Sequence, residues 1–289
     1  MTEVGYRAAA VAARRLPAWI SDPLADWCAD VYVATHPGRA RAVDRRLARI
    51  WREAGLAEPP PGARETYRGF ARAVRDFLAA MGVEPPRPPV VRVDDETVAH
   101  LAEARAAGRS TVVVSGHFGP WETALQWLAR EVGPVDAIAA PHHAAAVERF
   151  FRAHRAAFGI RTISTGHPAT EAIARLRQGA WIAMLADRAW RARDGRATPP
   201  GAGMVAVDPA PLFLARRARA QVLAGVAWHE ADGAVSVRFH APFTLGAGRN
   251  GAEIEEARGE LERFFDAHVR AHPTQWFDWG AGALVDPAR

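Results

Sequence analysis

The segment Ser115-Gly116-His117-Phe118-Gly119-Pro120-Trp121-Glu122 carries the residue types that proton transfer uses. A histidine gains or loses a proton near neutral pH. A carboxylate five residues on can accept a hydrogen bond from one ring nitrogen, orient the ring and make it a better base. Gly116 and Gly119 let backbone approach a ligand closely. His117 is therefore a candidate general base, with Glu122 as its partner. The same spacing also fits a plain helix start, because the helix dipole favours a glutamate in the first turn whatever surrounds it.

The flanking elements decide between these readings. Thr111 to Val114 is a β-branched run that predicts a buried strand. Pro120 suits a first helical position, and a helix is expected from Trp121 to Arg130. In open α/β sheets, ligands gather beyond the carboxyl ends of the strands. His117 falls there. Downstream, strand-length runs at 135–140, 160–164 and 181–185 alternate with helix-length segments at 144–158 and 169–178. Such alternation implies right-handed βαβ units. Residues 188–207, rich in glycine and proline, read as a long loop. A helix at 211–218 follows, then strands at 221–228 and 234–240 around the hairpin signal Asp232-Gly233, and a charged helix at 252–271.

The expected fold class is thus α/β, with a mainly parallel or mixed sheet flanked by helices. Residues 1–88 differ. Val43, Leu47, Ile50 and Trp51 recur at helical intervals, and Tyr67, Phe70, Val74, Phe77 and Leu78 share one face of a helix from Glu65 to Met81. Pro59 to Pro61 separate these two helices. A second cluster, Pro85, Pro86, Pro88 and Pro89, marks a soft boundary. The reading is an N-terminal helical arm, 1–88, and an α/β domain, 89–289.

His117-Phe118-Gly119-Pro120-Trp121-Glu122 resembles the His-x4-Asp/Glu motif of the late acyltransferases of bacterial lipid A biosynthesis, the lauroyl and myristoyl transferases. Other segments agree in order. Arg155 lies ahead of Gly159 as an arginine does in that family. Leu176-Arg177-Gln178-Gly179, Leu185-Ala186-Asp187 and Pro273-Thr274-Gln275-Trp276 match further stretches. The resemblance covers about residues 90–280. Pro120 stands where the family has asparagine, Arg188 where it has glutamine, and the family's N-terminal membrane-spanning helix is not expected here. The resemblance implies a glycerolipid acyltransferase-like fold and an enzyme that moves a fatty acyl group from a thioester to a hydroxyl of a lipid or glycolipid. The donor is on acyl carrier protein or coenzyme A, and no cofactor or metal is needed. It makes His117 and Glu122 the base pair, with backbone N–H groups near Gly119 facing the oxyanion, and favours Arg155 as a substrate contact.

Other residues keep two readings. Asp187, at a strand end, either lines the site or caps the following loop. Trp121, Trp127, Trp181 and Trp190 either line an acyl channel or pack in the core. His142, His143 and His154 lack metal-ligand spacing and read as surface or helix-start residues. All 37 basic residues are arginines, against 32 acidic ones, for a net charge of +5. That balance suits an anionic partner, such as a phosphorylated substrate or an anionic membrane surface. GC-rich coding explains the arginine excess more cheaply. A nucleic-acid-binding protein is a rival reading, disfavoured because no basic stripe with interleaved aromatics and no known module is found. A soluble or carrier-bound specialised metabolite is the alternative acceptor. The single cysteine, Cys28, excludes an internal disulfide and fits a reducing cytoplasm. Arg7, Arg14 and Arg15 beside Leu16, Trp19 and Ile20 suggest peripheral attachment to the inner face of the cell membrane. No Gly-x-Ser-x-Gly elbow or Walker loop occurs.

Overall fold

Val112, Val114, Ile182, Val222 and Ala224 are fully buried on one face of the central sheet, while Val113 and Leu223 point the other way. This two-residue alternation, apolar on both sides, requires helices over both faces. The computed structural model describes residues 3–56, 60–80, 90–142, 144–164, 168–188, 204–246 and 251–279. The strands are β1 (Val91–Val93), β2 (Thr111–Ser115), β3 (Val135–Ala139), β4 (Ile160–Ser164), β5 (Trp181–Leu185), β6 (Gln221–His229), β7 (Val235–Phe239) and β8 (Phe243–Thr244). The sheet runs in the order β1-β7-β6-β2-β5-β3-β4, with β8 on β6. Its centre and both ends are parallel, and β6 pairs antiparallel with β7 and β8. The sheet is mixed, as expected, and Gly233 at φ +82° makes the predicted hairpin turn.

The helices are α1 (Glu3–Arg15), α2 (Ala18–Thr35), α3 (Pro37–Ala54), α4 (Ala63–Ala79), α5 (Asp95–Ala106), α6 (Trp121–Val132), α7 (Ala145–Ala157), α8 (Pro168–Leu176), α9 (Ala210–Ala218) and α10 (Gly251–Ala271). Helices α8, α9 and α10 cover one sheet face through Leu176, Leu212, Ile254, Leu261 and Phe265. Helices α5 and α6 cover the other through Leu101, Ala104 and Leu128. Helix α5 and strands β1 and β8 were not expected from the sequence. Asp94 caps α5 by accepting from the Thr97 N–H at 2.8 Å. Pro120 is one residue earlier than expected: it precedes α6 rather than opening it.

Helices α1 to α4 precede the first strand and occupy the segment expected as an N-terminal arm. Asp22, Asp26 and Asp30 sit at i,i+4 spacing on α2 and meet Arg75, Arg72 and Arg68 of α4, with Asp22–Arg75 at 2.7 Å and Asp26–Arg72 at 2.6 Å. This ladder fixes the two helices antiparallel. The arm is anchored to the α/β part: Ile50 of α3 is 1% exposed inside the main core, and Phe77 and Leu78 of α4 pack on Phe150 of α7. The boundary expected at residues 88/89 and most of the loop expected over 188–207 lie outside the described residues.

Candidate active site

His117 follows β2 directly, at the carboxyl end of the buried strand. Two glycines allow the backbone to reach it. A Cβ on Gly116 would lie 2.5 Å from the Phe118 ring and 2.8 Å from the Asp187 side chain. A Cβ on Gly119, whose φ is +47°, would lie 2.5 Å from the Ala227 carbonyl oxygen. Both positions therefore demand glycine for packing, and Gly119 demands it for conformation as well.

The partner of His117 is Asp187. The ring Nδ1 lies 2.8 Å from Asp187 Oδ1, and the other carboxylate oxygen accepts the Trp276 indole N–H at 3.0 Å. Asp187 follows β5, the neighbour of β2 in the sheet, so parallel pairing brings the two strand ends together. The Asp187 side chain is fully buried, whereas His117 keeps part of its ring open. Burial pushes the Asp187 carboxyl up. The facing His117 and the hydrogen bonds from His117 and Trp276 outweigh it and hold the carboxyl below the ordinary range. A buried carboxylate that accepts the Nδ1 proton fixes the tautomer and leaves Nε2 free to take a proton.

Glu122 does something else. Its carboxylate binds Arg155 of α7 bidentately, with Arg155 Nε at 3.2 Å and Nη2 closer still. The hydrogen bond that Glu122 was expected to accept from His117 is replaced by those from Arg155. Helix geometry explains why: Glu122 points along the face of α6 that meets α7, away from the strand end where His117 sits. Burial acts against the Arg155 charge, but the Glu122 carboxylate more than offsets it and raises the guanidinium's affinity for its proton. Gly119 also departs from expectation. Its N–H donates to the Gln275 carbonyl at 2.7 Å and is not free for an oxyanion.

That contact belongs to a strap formed by the chain after α10. Gly119 N–H to Gln275 and Phe277 N–H to the His117 carbonyl, 2.8 Å, make a two-bond antiparallel bridge across the His117 loop. The Gln275 side chain is in turn held by both backbone groups of His229 on β6, at 2.7 and 2.8 Å. Arg188 donates to the Phe277 carbonyl at 3.1 Å. Arg46 of α3 lies 5.3 Å over the Trp276 ring and donates to the Asp278 carbonyl. Burial lowers the Arg46 pKa to about 10 even though Asp278, Tyr67 and Asp187 favour its charge. The sequence reading quoted Trp276 but gave it no role, and no spacing signal pointed to Arg46.

Beside His117, a narrow apolar slot runs between α6 and the sheet. It starts at Ser115, Trp121, Glu122 and Arg155 and ends at Val237 and Phe239. Its floor is made of small residues on neighbouring strands, among them Ala137, Ala183, Gly225 and Ala227, which leave room beneath Ala124 and Leu128. Trp121 stands between the slot and His117, with ring centroids 5.2 Å apart. So Glu122, Arg155 and Trp121 line the slot, Asp187 completes the histidine site, and Gly119 holds the loop shape. Trp127 and Trp181 pack in the core beneath α6, and Trp190 lies outside the described residues. His142 pairs with Glu148 at 2.9 Å, and no metal-ligand cluster occurs among the described residues.

The profile of the bacterial lipid A biosynthesis acyltransferases matches residues 6–279. The chain belongs to that family. Over 280 residues it is 24% identical to a phosphatidylinositol mannoside acyltransferase of Mycolicibacterium smegmatis, covering 96% of this chain and 89% of that protein. A solved structure of the 1-acyl-sn-glycerophosphate acyltransferase PlsC from Thermotoga maritima aligns with a TM-score of 0.44 at 14% identity, over 88% of this chain and 99% of that one. Family membership makes this protein an acyltransferase of lipid biosynthesis. Among the described residues, no helix is long and apolar enough to cross a membrane.

Proposed function

We propose that the protein transfers a fatty acyl group from a thioester, carried by acyl carrier protein or coenzyme A, to a hydroxyl of a lipid or glycolipid. The observation that carries this reading is the His117–Asp187 pair, oriented and part-open, at the head of an apolar slot. The slot takes the first carbons of the acyl chain and leaves its thioester carbonyl beside Trp121. His117 Nε2 removes the acceptor's hydroxyl proton as that oxygen attacks the carbonyl. Asp187 stabilises the imidazolium so formed. The tetrahedral intermediate collapses, the C–S bond breaks, and the leaving thiolate takes the proton back from His117. The base pair is His117 with Asp187, while Glu122 acts by holding Arg155 at the polar end of the slot. The Trp121 and Ala124 N–H groups are held by the Gly119 and Pro120 carbonyls, so the Glu122 and Thr123 amides in the first turn of α6 supply the oxyanion contact in place of Gly119. The steps balance without a cofactor or metal.

The same reading places the enzyme at the cytoplasmic membrane face, held peripherally. Val4, Val11 and Trp19 are exposed on α1 and α2 beside Arg14 and Arg15. Membership of a lipid-acylating family favours a lipid acceptor over a soluble metabolite and leaves the nucleic-acid reading without support. The test gives purified protein palmitoyl-coenzyme A or palmitoyl-acyl carrier protein with a bacterial lipid extract and follows products by mass spectrometry. The expected product is an acceptor heavier by one acyl group, and His117→Ala lowers its rate at least ~10²-fold. Near-wild-type transfer by a folded His117→Ala protein overturns the assignment.

A further inference from the structure

A second apolar groove lies on the other side of the Trp121 wall, inside the helical arm. It is about 490 Å³, several times the ~150 Å³ of a cavity that takes a benzene-sized ligand. The slot under α6 measures about 90 Å³ on the same scale. The groove exists because α1, α2 and α4 face one another through alanines: Ala9, Ala12 and Ala13 on α1, Ala25 and Ala29 on α2, and Ala71 on α4. The arginine–aspartate ladder holds α2 and α4 together beside the groove, and its Arg75 forms part of the groove wall. Protein interiors are otherwise packed without voids of this size.

Resting on the acyltransferase reading above, we propose that this groove binds an acyl chain of the lipid acceptor, drawn from a bilayer. Three observations select that occupant. First, the walls are apolar; Arg75 in them is already paired with Asp22, and Arg39, which donates to the Tyr32 hydroxyl, supplies a cation that suits a lipid with an anionic headgroup. Second, a single layer of aromatic rings separates the groove from the active site. Phe70 lines it and stacks on Trp121 at 6.2 Å and on the edge of Phe277 at 5.4 Å, while Trp121 touches His117. Trp279 closes the same end against Tyr67, 4.6 Å away. A transfer between two lipidic substrates needs two chains converging on one base, and the slot and the groove lie on either side of the Trp121–Phe70 ring contact. Third, the mouth opens beside a stripe on α2 that is exposed and apolar: Leu24 at 43%, Trp27 at 62% and Val31 at 43%. A chain reaching the groove across that stripe comes from an apolar phase rather than from water.

The experiment uses the full chain and vesicles of phosphatidylglycerol and phosphatidylcholine doped with a phospholipid bearing a diazirine on one acyl chain. After photolysis, labelled peptides are mapped by mass spectrometry. The expected result is labelling at Ala71, Val74 and Tyr67 as well as on the outer face of α2. Ala71→Trp and Ala25→Phe fill the groove from opposite walls, and each should cut the inner labelling at least tenfold. Labelling at Trp27 and Val31 should persist and report that the protein still folds and meets the vesicle. His117→Ala should label like the wild type, so loss of transfer and loss of lipid binding are read separately. Labelling confined to the outer face of α2, or inner labelling unchanged in both filled variants, overturns the proposal.

Discussion

His117 is made useful by what touches its far nitrogen. Asp187→Asn keeps the shape of that contact, but the amide can present an N–H to Nδ1 and so favour the wrong tautomer. We expect turnover to fall ~10²–10⁴-fold with little change in the KM for the donor, measured as steady-state rates on a folded variant. Glu122 and Arg155 make a contrasting pair, since both side chains are more than four-fifths buried. Glu122→Leu leaves a buried guanidinium unpaired and should cost about 3–5 kcal/mol in denaturant unfolding. The double variant Glu122→Leu/Arg155→Met removes both charges and should regain most of that stability. Transfer activity should stay low in the double variant, because the slot has lost its polar end. Full activity in the restored protein would make the pair purely structural.

At the scale of elements, the strap after α10 matters as much as the strands. Trp276 contributes one hydrogen bond to Asp187 and carries the Arg46 guanidinium on its ring face. Trp276→Phe keeps the ring and removes the N–H, so the buried Asp187 oxygen loses a partner. The expected effect is a loss of about 1–3 kcal/mol in stability and a larger loss in kcat than in donor KM. The strap also marks the limit of what the sequence discloses. Strands β2 to β7 and helices α6 to α10 are legible because apolar period and glycine–proline punctuation are local signals. His117 is legible through its place between a buried strand and a helix. The choice between Glu122 and Asp187 is not, because it turns on two strand ends meeting in space 70 residues apart. A carboxylate close in sequence outcompetes a distant one on paper and loses in the fold, where α6 turns it towards α7. Strand β1, at three residues, is too short to show a period, and the Arg46 contact, 232 residues from its acceptor, leaves no local trace.

At the scale of the whole molecule, His154 and His268 are buried as neutral rings among the described residues. His154 sits between Phe77 and Phe158 and faces Gln126 at 3.2 Å. Burial lowers its pKa to about 4, and burial beside His272 lowers that of His268 to about 3. Their unfolded value is near 6.5. The folded form thus binds fewer protons than the unfolded form between pH 6.5 and 4, and stability falls as pH falls through that window. For His154 the loss is on the order of 3 kcal/mol once the ring is forced to protonate. Thermal midpoints measured from pH 8 to pH 4 should decline across this range, and His154→Gln should flatten the slope. A flat profile in the wild type would contradict the burial of neutral rings.

The strap sets an order in time. The bonds that finish the His117 site close loops of great length: Trp276 reaches Asp187 across 89 residues, and the bridge to the His117 loop spans still more of the chain. Contacts this far apart are slow to form, because chain entropy is lost before they repay it. Helices and the β6–β7 hairpin close short loops and form early. On refolding from denaturant, helical signal should therefore return well before catalytic competence. A folding chain passes through a stage with its sheet built and its histidine still unoriented, so it gains acyl-transfer chemistry only when assembly is nearly complete.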